Sequence, residues 1–235
     1  MWDKQSGIRW GQNIILNRTF SIMLKDIPLF EGLSDHELEE LSNAAIKRKF
    51  PPNTILCSEG DKTDSLHIIC SGKVKVSITD NDGREIILAL LGPGEYFGEM
   101  SLIDNEPRSA TVTTKELCET LSISREHFMK IFSSNPIAFN LLKGLLQRLR
   151  DANKKIESLA LLDVYGRVAK LLNQFAKPQG DKLVIENKLT HQEIANMIGS
   201  SREMVTIILK ELSTGEYITI DKKIITINRK LPYSW

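Results

Sequence analysis

The order of apolar and polar positions divides the chain into stretches of different period. Residues 1–27 are a weakly patterned lead-in, in which Ile14, Ile15, Phe20, Ile22, Met23 and Leu24 have the spacing of an amphipathic helix. Beyond Pro28 and the apolar pair Leu29-Phe30, Ser34 and Glu37 form the S-x-x-E of a capping box. Leu38, Leu41, Ala44 and Ala45 follow at helical spacing. Lys47-Arg48-Lys49 is expected in that helix's last turn, where positive charge suits the dipole, with Pro51-Pro52 as the stop. The period then falls to two. Thr54–Cys57, Ser65–Cys70, Lys73–Thr79, Glu85–Leu91 and Leu117–Ile123 are short strand-like runs, cut by turn signals at Glu59-Gly60-Asp61, Ser71-Gly72 and Asn81-Asp82-Gly83. This pattern predicts an antiparallel β-roll over residues 28–134, with a helix opening at Ser124.

From residue 135 the period becomes helical again. Asn135-Pro136 reads as an N-cap followed by Pro at the first helical position. Leu142, Leu145, Leu149, Ala152, Ile156 and Leu159 then alternate steps of three and four, the a/d seam of a helix that wants a partner helix. We expect one long helix over 135–163. Residues 164–235 start with a helix carrying Leu171, Leu172 and Phe175, then a loop at Lys177–Asp181. Thr190 and Glu193 cap the next helix, which turns at Gly199. Ser200-Ser201-Arg202-Glu203 is expected to be a second capping box, opening a helix over Met204–Leu212. Tyr217–Ile220 and Ile224–Ile227 flank Asp221-Lys222-Lys223, so a hairpin follows the helix-turn-helix and makes it winged.

Composition narrows the function. With 235 residues, 41% apolar and 26% charged, the chain has the profile of an ordinary soluble protein of one large or two modest domains. No apolar run approaches a membrane span, and Met1-Trp2-Asp3-Lys4 does not begin a signal peptide, so a cytoplasmic location is expected. Cys57, Cys70 and Cys118 are odd in number and lack metal-ligand spacing, which suits small apolar residues in a reducing compartment. No nucleophile–base pair, metal set or P-loop supports an enzyme. Charge is uneven: residues 164–235 carry 11 Lys/Arg against 7 Asp/Glu, a net of +4, while residues 1–163 carry 20 against 23, a net of −3. A basic C-terminal part points to a polyanion partner.

Two stretches carry candidate chemistry. In Gly98–Thr111, Gly98 permits a positive φ and close backbone approach, and Glu99–Ile103 is one helical turn including Met100 and Ser101. Arg108 offers a bidentate fork to phosphate oxygens, Glu99 an acceptor for a ribose hydroxyl, and Ser109 a hydroxyl. The other reading, a surface Glu–Arg pair, does not use the glycine turn or the spacing. In the C-terminal stretch, Arg202 can read guanine and Glu203 cytosine, while Thr190, Ser200 and Ser201 suit phosphates. His191, Gln192, Thr206 and Lys210, with Lys222 and Lys223 at the hairpin tip, complete the expected DNA-facing set.

Phe30-x-Gly32-Leu33-Ser34, Glu59-Gly60-Asp61 and Gly94-Glu95-Tyr96-Phe97-Gly98-Glu99, with Arg108-Ser109-Ala110, resemble the cyclic-nucleotide-binding domain. Leu161-Leu162-Asp163-Val164-x-Gly166-Arg167 and Leu189–Ala195, with Gly199, Arg202-Glu203 and Lys210, resemble the cyclic-AMP-receptor/FNR family of bacterial regulators. The resemblance spans about residues 28–228. It implies an α+β architecture: an N-terminal antiparallel, jelly-roll-like β-roll, a long dimerisation helix, and a C-terminal winged helix-turn-helix. It further implies a homodimer on a pseudo-palindromic double-stranded DNA site, RNA polymerase as a partner, no membrane association, no metal and no covalent cofactor. The expected effector is a cyclic nucleotide: cAMP first, with cGMP, cyclic di-GMP or no effector as alternatives. A nucleotide-gated module without DNA binding is the alternative from another class. Aligned on the family, Ala152 and Asn153 fall at the base-contacting positions, where the cyclic-AMP-receptor type has two hydroxyl residues. Ile207 falls where the family has a second base-reading arginine, and an N-terminal cysteine cluster is lacking, which argues against an iron–sulfur sensor. His67 and His127 are isolated and take structural or surface roles.

Overall fold

The computed structural model describes residues 24–132, 135–180, 182–186, 189–222 and 224–231. The expected lead-in helix, apart from Leu24, lies outside these residues, as does Lys223. Two compact units emerge: one is formed by residues up to Ile78 with Ala89–Arg148, the other by Thr79–Leu88 with Leu149 onward.

In the first unit the capping box holds. Ser34 accepts from the Glu37 amide and Glu37 returns a bond to the Ser34 amide, opening α1 (Asp35–Ala44). The helix stops at Ala44, before the basic triplet. Lys47-Arg48-Lys49 belongs instead to β1 (Ile46–Phe50), which corrects the last-turn expectation. The triplet alternates across a ladder, and Lys47 and Lys49 each place Nζ 2.6 Å from the Glu119 carboxylate. These bonds hold the Glu119 carboxyl below its ordinary pKa. A cross-strand anion lay too far along the chain for a helix-dipole argument to foresee.

The remaining strands of the roll are β2 (Ile55–Cys57), β3 (Ser65–Ser71), β4 (Val74–Thr79), β5 (Glu85–Leu91), β6 (Tyr96–Phe97), β7 (Thr111–Thr114) and β8 (Cys118–Ser124). They form two four-stranded sheets, ordered β1-β8-β3-β6 and β2-β7-β4-β5. Between β6 and β7 the chain detours through the short helix α2 (Glu99–Asp104). That detour carries the cassette. Two apolar layers fix it in place. Cys57, Ile69, Val74, Leu91, Phe97, Val112 and Cys118 cluster within the roll, all three cysteines being free. On the other side, Leu66, Ile68, Leu121 and Ile123 pack with Phe30, Leu38, Leu41 and Phe128, the last from α3 (Arg125–Phe132). Ile137 and Leu141 join the same cluster from α4 (Asn135–Leu161), so the long helix is anchored on the roll by its first turns.

In the second unit, Asp163 caps α5 (Val164–Phe175) by accepting from the Gly166 amide at 2.7 Å. Val168, Ala169 and Leu172 are its buried face, with Leu171 and Phe175 only half-buried. Lys177–Gln179, expected as loop, is β9, paired with β10 (Lys182–Ile185). With β11 (Ile218–Asp221) and β12 (Ile224–Ile227) these make a four-stranded sheet ordered β11-β12-β10-β9, wider than the two-stranded wing expected. Lys177-Pro178-Gln179 lacks strand composition. As an exposed edge strand it holds its place by pairing, and an edge tolerates Pro. Helix α6 (His191–Ile198) has the Thr190–Glu193 capping box and ends at Gly199 in the left-handed region, φ +64°. Helix α7 (Arg202–Thr214) differs at its start: Ser201 is the N-cap and accepts from the Met204 amide at 3.2 Å. The Ser200–Glu203 box is therefore absent, and Glu203 stays exposed in the first turn, outside any capping bond.

Candidate functional site

Gly98 N-caps α2 with φ +89°, a conformation costly for any residue bearing a Cβ. A Cβ here would land on Arg108 Nη1 and 2.7 Å from the Ser65 carbonyl oxygen. The glycine thus answers two needs, a left-handed turn and room for the guanidinium. Glu99 and Arg108 are among the few buried charged residues of the described structure, at 2% and 5% exposure. They do not bond each other, so a surface ion pair does not account for them. Arg108 donates from Nε to Thr63 Oγ1 (2.7 Å), from Nη1 to Ser101 Oγ (2.9 Å) and from Nη2 to the Ser65 carbonyl (2.6 Å). A guanidinium has five N–H groups. One N–H on each terminal nitrogen therefore stays without an acceptor among the described residues, a pair suited to a bidentate oxyanion. Ser109 and Met100 are exposed at the rim, with Ser109 Oγ 3.7 Å from Met100 Sδ.

Arg148 is the residue that sequence reading missed. From α4 it donates to the Glu99 carboxylate and, at 2.6 Å, to the Tyr96 carbonyl, with its guanidinium 5.0 Å from the centre of the Tyr96 ring. Its signal was available: Arg148 precedes Ala152 by four residues, one helical turn on the same face. Burial raises the Tyr96 phenol pKa, with Arg148 opposing and Glu99 adding to the shift. A Cβ on Gly144 would land on the Tyr96 hydroxyl, so this mid-helix glycine is the notch that receives it. Ala152 and Asn153 are exposed on the same helix, in the second unit.

The seam residues Leu142, Leu149, Ile156 and Leu159 are 49–63% exposed, and Ala152 is exposed with them. Leu145 is the correction. It packs against the roll's own core, and Leu146 (45% exposed), with Phe139 (58%), lies open instead. Three- and four-residue steps both fit a helix face, and only the roll's position selects between Leu145 and Leu146.

In the winged domain Thr190, Gln192, Ser201, Arg202, Glu203, Thr206, Lys210 and Lys222 are exposed, while His191 and Ser200 are half-buried. Some already have protein partners. His191 Nδ1 lies 2.8 Å from Thr206 Oγ1, which donates to the Arg202 carbonyl, and Gln192 donates to Asn196, which donates to Glu85 at 2.7 Å. Thr190 serves its cap. Arg202, Glu203 and Lys210 are left presented from one helix, and Ile207 is 51% exposed beside them. Lys222 sits at the wing tip with φ +46°.

A β-roll with a buried carboxylate and guanidinium beside a glycine turn, followed by a long helix and a winged helix-turn-helix, defines a ligand-responsive DNA-binding regulator rather than an enzyme. The cyclic nucleotide-binding domain family matches residues 47–135, and the Crp-like helix-turn-helix domain family matches residues 166–230. The chain is 34% identical over 205 residues to a CRP-like cAMP-activated global transcriptional regulator of Mycobacterium tuberculosis, covering 85% of this chain and 92% of that one. It is 36% identical over 200 residues to the cAMP-activated global transcriptional regulator CRP of Salmonella typhimurium, covering 83% and 95%. Among solved structures, the c-di-GMP responsive global regulator CLP of Xanthomonas campestris superposes with a TM-score of 0.72 at 29% identity, covering 83% of this chain and 99% of that one. This chain belongs to the Crp/Fnr family of transcriptional regulators.

Proposed function

We propose that the protein is a cytoplasmic, homodimeric transcriptional regulator switched by a cyclic nucleotide, with cAMP as the first candidate effector. The observation that carries the reading is the buried, mutually unpaired couple of Glu99 and Arg108 beside Gly98. Burying two charges is costly unless each gains partners; Glu99 already holds Arg148, and a nucleotide supplies acceptors for the Arg108 N–H groups that still lack them. Its phosphate takes the two remaining Arg108 N–H groups, with Ser109 and Met100 at the rim and Ser101 buried against Arg108. Its ribose hydroxyl competes with or joins Arg148 at Glu99. Because Arg148 belongs to the long helix, pocket occupancy has a direct lever on that helix.

The exposed leucines and isoleucine of the long helix then pair two chains, and Arg202, Glu203 and Lys210 of each chain enter successive major grooves. Thr190, His191, Gln192, Ser200, Ser201, Thr206, Lys222 and Lys223 serve the backbone or the groove edge. Two recognition helices about 34 Å apart read a pseudo-palindromic site, and RNA polymerase is the partner through which occupancy acts on transcription. Aligned on the family, Ala152 and Asn153 fall at its base-contacting positions. Ala152 offers no hydrogen bond and Asn153 an amide, so cGMP and cyclic di-GMP stand as second candidates; a relative of the same fold is itself described as c-di-GMP responsive.

Calorimetric titration with cAMP, cGMP and cyclic di-GMP, paired with selection from random DNA pools with and without each nucleotide, tests the reading. Heat with one nucleotide and enrichment of a palindrome dependent on it is the expected result. No heat with any of the three removes the effector, and no enriched palindrome removes the DNA-switch reading.

A further inference from the structure

The Gly60–Ser65 loop holds Arg108 by its backbone and its side chain together. The Arg108 amide donates to the Asp61 carbonyl at 2.9 Å, and the Arg108 carbonyl accepts from the Gly60 amide at 2.8 Å. The loop's own turn is fixed by Asp61, whose carboxylate accepts from the Ser58 amide at 2.7 Å. Three residues after this clamp begins, the side chain is gripped again: Thr63 Oγ1 accepts Nε–H, and two residues further on the Ser65 carbonyl accepts from Nη2. Thr63 enters twice, because its carbonyl is also 3.3 Å from Ser101 Oγ, which accepts from Arg108 Nη1 and shares its one proton between the Thr63 carbonyl and the Gly98 carbonyl, also at 3.3 Å. Thr63, Arg108 and Ser101 thus lie in one ring of contacts.

The chemistry of that ring sets a plane. A guanidinium is rigid and flat, so fixing Nε and one N–H on each terminal nitrogen fixes the direction of the remaining two. The Ser65 carbonyl and Ser101 hydroxyl fix two of these points, and Thr63 Oγ1 supplies the third. Thr63 is exposed at the edge of the loop, and without its hydroxyl Nε–H has no acceptor among the described residues. The plane then loses its third fixed point. We propose that Thr63 is a positioning residue for phosphate recognition: its hydroxyl sets the plane of the Arg108 fork so that the two free N–H groups meet the two exocyclic oxygens of the cyclic phosphate. This rests on the nucleotide reading of the pocket above, and it adds a determinant outside the Gly98–Ala110 stretch.

Thr63→Val removes the acceptor with little change of volume, at a position where packing is slight, and Thr63→Ser keeps it. The probes are cAMP, cGMP and cyclic di-GMP, followed, for whichever binds, by its phosphorothioate diastereomers, in which sulfur replaces one exocyclic oxygen of a phosphate or the other. Wild type and Thr63→Ser are expected to discriminate between the diastereomers. Thr63→Val is expected to bind the parent nucleotide about tenfold more weakly, the scale of one hydrogen bond to a charged group, and to lose most of the discrimination. A second readout needs no nucleotide. In ¹H–¹⁵N spectra the Arg108 Nε–H resonance, assigned by its loss in Arg108→Lys, is expected to exchange slowly with water in wild type and Thr63→Ser and rapidly in Thr63→Val. Wild-type binding with undiminished affinity and discrimination in Thr63→Val overturns the role of Thr63 and leaves the nucleotide reading standing. Absence of binding by wild type overturns both. An Arg108 Nε–H equally protected in Thr63→Val overturns the hydrogen bond itself.

Discussion

Acidification reports on the interior of the roll through one side chain, His67. Its ring stacks on Phe97 with centroids 4.8 Å apart and planes 6° from parallel. Its Nε2 lies 3.0 Å from Ser65 Oγ, and its Nδ1 is buried with no partner among the described residues. A second proton would place an N–H⁺ at that unpartnered atom. Burial chiefly, then the Arg108 and Arg48 charges, lowers the pKa from an ordinary 6.5 to about 4. A base whose folded pKa lies below its unfolded one binds fewer protons when folded. Its contribution is therefore whole above pH 6.5 and is lost as pH falls through 6.5 toward 4. A shift of this size makes the loss about 2 kcal/mol at pH 5 and about 3 kcal/mol at pH 4. The perturbation is His67→Phe, which keeps an aromatic on Phe97 and cannot titrate. Urea unfolding followed by circular dichroism is run on both proteins from pH 7.5 to 4.5. Carboxylates titrate in both and cancel in the difference, and altered packing adds only a pH-independent offset. The stability difference, variant minus wild type, is expected to rise by about 2 kcal/mol between pH 7.5 and 5. Parallel curves would refute the buried, neutral imidazole.

Three further outcomes are expected. Gly144→Ala gains helix propensity, about 1 kcal/mol on an exposed face, yet its Cβ lands on the Tyr96 hydroxyl, so it should destabilise wild type and stabilise a Tyr96→Phe background. Thermal melts of the four proteins check this; the same sign in both backgrounds would mean the notch is empty of consequence. Leu149→Asp puts a charge on the open face of the long helix and should give a monomer in sedimentation equilibrium at micromolar concentration, whereas a mass still at dimer would move the interface elsewhere. Arg202→Ala should relax selection at one base position of the enriched site by about 1–3 kcal/mol. Uniform weakening across all sequences would make Arg202 a phosphate contact.

What the chain determined by itself was whatever depends on near neighbours. Period-two runs between glycine turns, the Ser34–Glu37 and Thr190–Glu193 boxes, the left-handed Gly98 and Gly199, and the β-roll, long-helix, winged-domain order were all legible, because backbone torsion and capping are settled within a few residues. Glu99 and Arg108 were singled out from the glycine turn and their spacing, whereas their burial came only from the fold. The misreadings share a different cause. Lys47-Arg48-Lys49 became a strand because Glu119 waits across the sheet, and Lys177–Gln179 became one because Lys182–Ile185 offers a ladder. Leu145 turned inward because the roll happens to lie beneath it, and the cap of the recognition helix moved by one residue to Ser201. Arg148 on Glu99 and Thr63 on Arg108 join residues 49 and 45 apart in sequence. Such pairings carry no periodic trace, since a hydrogen bond between distant residues leaves local composition unchanged. Folding alone decided which partners Glu99 and Arg108 already hold, and so which Arg108 N–H groups remain for a phosphate.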